Sequence, residues 1–183
     1  MTEFFSALSQ HSFLQNALLA GILAGIGCGV MGSFVVVKRI GFLAGGIAHS
    51  VLAGMGAALF FGFSPTLGAI IAAIVSALLI GLISRHGDEQ EDTLIAALWA
   101  IGMAIGILFI SKTPGYNTEL MSYLFGNILM VSSQEILWML LLDIAVLIIV
   151  SLFYKQFLAI SFDEEFATLR SLPVTAIYLL LLC

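Results

Sequence analysis

Four unbroken apolar runs decide what this chain can fold into: Phe13 to Val37, Phe42 to Phe63, Pro65 to Ser84 and Thr93 to Ser111. Each is close to or above the roughly 20 residues that a helix needs to cross a bilayer core. In hydrocarbon every backbone N–H and C=O must find its partner within the segment, so runs of this length read as spanning helices. A fifth run extends from Gln134 to Tyr154 and encloses Asp143. A sixth begins near Pro173 and reaches Cys183 after about ten residues, half of a crossing. Only 9% of the residues are charged and 61% are hydrophobic, against roughly 25% charged in a soluble domain. The reading is an all-α integral membrane protein, a multi-spanning helical bundle in a cell membrane and in contact with lipid. Residues 1–183 form one transmembrane domain of about six spans, with its C-terminal part expected to be missing.

The same arithmetic excludes some functions. Six basic residues in a chain of net charge −5 are too few for a surface that tracks phosphates, so no nucleic-acid partner is expected. Glu3 stands where a secretory signal carries basic charge, and the first run is too long for a cleaved signal. Cys28 and Cys183 form neither a disulfide framework nor a metal-binding pair and are read as packing residues.

Short cytoplasmic loops retain Lys and Arg. Lys38 and Arg39 follow the first run, Arg85 follows the third, and Lys155 and Arg170 flank the loop after the fifth, so five of the six basic residues fall inside and Lys112 outside. The fourth span then leaves near Lys112 on the side where the fifth must start. The segment Glu119 to Met130 between them has to begin and end on that one side, and at about a dozen residues it is read as a short re-entrant or interfacial helix.

Gly21, Gly25 and Gly29 recur every fourth residue on the first span, as do Gly102 and Gly106 on the fourth. Such stripes let helix backbones approach closely in lipid, and plain packing is their commonest use. His49 is different, because an ionisable side chain within a span usually faces a cavity or a partner. One helical turn away lie Gly45, Gly46, Leu52 and Ala53, which leaves room beside the imidazole for an ion. A hydrogen bond to a neighbouring helix is the alternative, and the spacing alone favours it. Glu119 follows a Pro114-Gly115 turn and either complements a helix dipole or offers a hard oxygen ligand. For Asp143 a structural hydrogen bond is the leading role.

Two acidic stretches lie between spans. Asp88 to Asp92 reads as a solvated loop that caps the fourth span. In Ser161 to Arg170, a capping Ser161 precedes the acids Asp163, Glu164 and Glu165, while Phe162, Phe166 and Leu169 share one face. This amphipathic helix has an acidic rather than basic polar face, which suits a cytoplasmic protein partner better than anionic lipid.

Three stretches resemble one family, the membrane permeases of metal-ion ABC importers for zinc, manganese and iron: Val37 to Gly56, Met121 to Leu129, and Ile160 to Ala167 with Leu172-Pro173-Val174. The resemblance implies a homodimer of permeases, a cytoplasmic ABC ATPase dimer, and an extracytoplasmic metal-binding protein. The divalent metal would be the transported substrate, with no permanently bound cofactor. His49 matches a histidine on the family's translocation path, with Gly45 where the family commonly has aspartate, and Glu119 matches an acidic position before the Leu-Phe-Gly stretch. Gly45, Gly46 and Asp143 are taken as path residues, His49 and Glu119 as metal contacts. The segment carrying Phe162, Asp163, Glu164, Phe166 and Leu169 corresponds to the coupling helix that docks on the ATPase. Ser171 stands where the family usually has glycine. No Gly-x-x-x-x-Gly-Lys-Ser/Thr loop occurs, so ATP hydrolysis would belong to a separate subunit. Two rival readings are an intramembrane enzyme using His49 and Ser50, and a structural membrane protein without transport. Adjacent residues point about 100° apart on a helix, which counts against the enzyme.

Overall fold

The computed structural model describes residues 2–84, 91–114 and 126–183. Among these residues it holds eight α-helices, one turn of 3-10 helix and no strand. A short helix, α1 (Thr2–Gln10), which the run-length argument does not anticipate, precedes five long ones: α2 (Ser12–Lys38), α3 (Gly41–Phe60), α4 (Pro65–Ser84), α5 (Glu91–Lys112) and α6 (Ser133–Phe162). These five are long and apolar enough to cross a membrane. Many of their large apolar side chains are exposed, Ile71, Leu108, Ile148 and Leu152 among them, as expected where lipid rather than water is the solvent. Two short helices follow, α7 (Glu164–Leu169) and α8 (Val174–Leu182).

Helix directions follow from which residues meet. Along α3 and α5, Gly46 meets Ile95, Ser50 meets Gly102 and Gly56 meets Gly106. Both residue numbers rise together, so the two helices run parallel. Between α3 and α4, Gly54 meets Gly68 while Ser50 Oγ lies 2.8 Å from Ser76 Oγ, an antiparallel pair. Asn16 Nδ2 at the start of α2 donates to the Val131 carbonyl before α6, 3.2 Å away, and Lys38 at the end of α2 pairs with Glu164 just after α6. Helices α2 and α6 are therefore parallel, opposite to α3 and α5. It follows that α5 ends at the end of the bundle where α6 begins, as the parity of the spans requires. The intervening segment lies largely outside the described residues, of which Ile128–Met130 forms a 3-10 turn.

Two groups of helices result. Helix α3 is clasped between α4 and α5, with Leu43, Ile80 and Ile95 in one buried cluster. Helices α2 and α6 form the other group, joined by α7 and α8 through Phe34, Phe157, Ile160, Ala167, Ile177 and Tyr178. Helix α8 also reaches α4, where Leu179 and Leu182 cover Gly81.

The sequence boundaries need several corrections. Helix α6 continues past Tyr154 to Phe162, so Lys155 and Ser161 are helical and not in a loop. Thirty residues span about 45 Å, half as long again as a bilayer core, so the helix runs on into the interface. Ser132 opens it with a reciprocal capping box to Glu135. Ser161 therefore does not cap the amphipathic segment. Asp163 does, its Oδ1 accepting from Phe166 N at 2.9 Å. Cys28 and Cys183 are exposed rather than packed inside.

Candidate functional site

Ser50 and His49 leave α3 on different sides. Ser50 is buried towards α4, with its hydroxyl engaged by Ser76 and by the Ile47 carbonyl at 2.9 Å. His49 faces α5, where its ring stacks on Trp99 with centroids 4.3 Å apart and planes 10° from parallel. A serine turned away from the histidine and already bonded is not an activated nucleophile.

The two glycines one turn before His49 differ. Gly46 is buried against Ile95 of α5, which stands so close that a β-carbon has no room there. A β-carbon on Gly45 would meet no atom within 4 Å. Adjacent helical residues point about 100° apart, and only the Gly45 direction is open. The space beside His49 thus lies over Gly45, where a β-carbon would meet no neighbour.

Asp143 belongs to the other helix group. Its Oδ1 lies 2.7 Å from the place a β-carbon on Gly27 of α2 would occupy, and Oδ2 is buried with no hydrogen-bond partner. Among the described residues no ion pair joins it to His49, and no three His, Cys, Asp or Glu side chains gather as a metal site. Glu119 and residues 88–90 of the acidic Asp88 to Asp92 stretch lie outside the described residues, while Glu91 and Asp92, read as loop, already belong to α5.

At the end of the bundle where α6 stops, α7 splits its side chains. Its Ala167 is wholly buried, whereas Phe166 and Leu169, together with Phe162 at the end of α6, are exposed, Leu169 by 85%. Glu164 is held inward by the Lys38 ion pair, and Lys38 Nζ also sits 5.3 Å from the centre of the Tyr178 ring. Of the residues assigned to docking, Phe162, Phe166 and Leu169 face outward, Asp163 closes the helix start, and Glu164 ties α7 to α2. The sequence reading missed this tie, and missed Trp99, because both join elements whose mutual register no local pattern encodes.

The sequence profile of the ABC 3 transport family matches residues 10–183 of this chain, all five long helices and the two short helices after them. The chain belongs to this family. It is 44% identical over 175 residues to the probable metal transport system membrane protein of Chlamydia trachomatis, covering 92% of this chain and 60% of that one. Against the manganese transport system membrane protein MntC of Halalkalibacterium halodurans it is 38% identical over 183 residues, 100% of this chain and 62% of the other. Among solved structures it is similar to PsaBC from Streptococcus pneumoniae in complex with Fab, with a TM-score of 0.86 and 32% identity over 99% of this chain and 65% of that one. The chain spans 60 to 65% of the length of these relatives. Its five long apolar helices and its family make it a multi-pass membrane protein, and it shares its helix arrangement with the PsaBC structure over nearly its whole length.

Proposed function

We propose that this chain is the permease subunit of an ABC importer that passes a divalent transition-metal ion across the membrane by alternating access. The observation that carries the reading is His49, a half-buried imidazole in the middle of a spanning helix, with open space over Gly45 and no hydrogen-bond partner for its ring among the described residues. An ion on such a path needs a ligand strong enough to admit it and weak enough to let it leave, which suits one imidazole better than a closed cage. Zinc, manganese and iron all accept imidazole and carboxylate. The names of several relatives put manganese first. In this reading Glu119 is an oxygen donor to the ion and Asp143 a residue of the path. In this reading the exposed side chains of Phe162, Phe166 and Leu169 seat in a groove of a cytoplasmic ATPase, one per permease of a homodimer, and an extracytoplasmic binding protein delivers the metal.

The test is uptake of radiolabelled manganese and zinc by cells carrying His49→Ala in the complete transporter. Alanine suits the small-residue surroundings, so the protein is expected to insert normally while uptake falls at least tenfold. Loss of a purely structural hydrogen bond averages only about 0.6 kcal/mol in a membrane and would leave transport intact. Wild-type uptake at normal protein level would therefore overturn the proposal.

A further inference from the structure

The parallel contact of α3 and α5 fixes more than helix spacing. Ile95 abuts Gly46 and Gly102 abuts Ser50, so closely that a β-carbon on Gly102 would lie 2.6 Å from Ser50 Cα. His49 and Trp99 stack between these two crossings. The indole is itself held: Trp99 Nε1–H donates to Met103 Sδ at 3.0 Å, one turn along α5, and Phe42 lies 6.3 Å from it in a tilted arrangement. The stack on His49, the Met103 hydrogen bond and the Phe42 contact together hold the indole between the two helices.

A stacked partner covers the face of an imidazole, but the nitrogen lone pairs that bind metals lie in the ring plane. Stacking therefore restricts rotation of the ring and leaves its ligand direction free. An imidazole that bears a metal ion is also more positive than a free one, and an indole face attracts positive charge. We infer that Trp99 is the positioning residue for His49, fixing the plane in which the ring offers its nitrogen to the ion, and that Met103 holds the indole in place. The inference rests on the reading of His49 as a contact of the transported metal.

Two measurements in the complete transporter test it. With Trp138→Phe and every tryptophan of the transporter outside residues 1–183 replaced by phenylalanine, Trp99 is the single emitter, and added Mn2+ should quench its emission; the quenching should vanish when His49→Ala is added. In uptake assays Trp99→Leu should raise the KM for metal about five-fold at a nearly unchanged maximal rate, the size expected for losing an aromatic pair. Trp99→Phe, which keeps a ring, should restore most of that loss, and Met103→Leu, of similar volume but without the sulfur acceptor, should raise KM about two-fold. A merely structural role for Trp99 would lower the amount of protein or the maximal rate and leave KM alone. If His49→Ala abolishes uptake while Trp99→Leu and Trp99→Phe keep the wild-type KM, the positioning role fails and the proposed function stands. If His49→Ala transports normally, both fail together.

Discussion

Helices α2 and α5 both carry glycine at every fourth residue, yet the two stripes have opposite fates. On α5, Gly102 and Gly106 lie against the backbone of α3, where a β-carbon on Gly106 would stand 2.5 Å from the Leu52 carbonyl oxygen. On α2, Gly25 and Gly29 meet nothing within 4 Å, and Gly21 meets only the tip of Ile128 at 3.7 Å. Glycine spacing marks where a backbone can approach, and the partner helix decides whether it does. The α3–α4–α5 group is built on such approaches, whereas α2 and α6 rely on large side chains and an ion pair at one end.

Substitutions in both helix groups put this contrast at risk. Gly106→Val should have the largest effect, because the atoms it meets are backbone and cannot turn aside. A cost of about 3 kcal/mol or more is expected, seen as loss of monodisperse protein after solubilisation. Gly27→Ala should cost about 1 kcal/mol, since the atom in its way is Asp143 Oδ1, the end of a side chain that can rotate; a fall in melting temperature smaller than that of Gly106→Val checks it. Lys38→Met should lower stability by at most about 1 kcal/mol, the range of partly exposed ion pairs, and restoration by the charge swap Lys38→Glu with Glu164→Lys would identify the pair as the cause. Gly25→Ala should raise stability by about 0.5 kcal/mol, because a helical glycine is replaced where there is space. A destabilised Gly25→Ala would mean that the α2 stripe is a contact after all, and the contrast would collapse.

The spans were legible because hydropathy follows from the solvent that surrounds them: the run Pro65 to Ser84 coincides with α4, and the other long helices differ at their ends. Those ends are set by backbone caps rather than by hydropathy. Lys155 looked like the end of a span, but a lysine stem can lie along apolar surface with its charge held outward, and the helix continues two turns to Asp163. Helix α1 escaped because its residues are not a long apolar run. Within the site, His49 stood out as an ionisable group in hydrocarbon. Which side of it is open did not, because Gly45 and Gly46 look alike until Ile95 is placed against one of them.

The link between α2 and α3 is only Arg39 and Ile40, with Arg39 in the left-handed region at φ 59°. Lys38 stands on one side of this link, joined to α7 through Glu164; α3 begins on the other. His49 lies eight residues beyond Gly41, a lever arm of about 12 Å along the helix axis. A tilt of about 10° at the link would carry the imidazole through about 2 Å, the length of a metal–nitrogen bond. If His49 contacts the ion as proposed, a small rocking of the segment that ends in Phe166 and Leu169 thus has the leverage to make or break one coordination bond in the middle of the membrane.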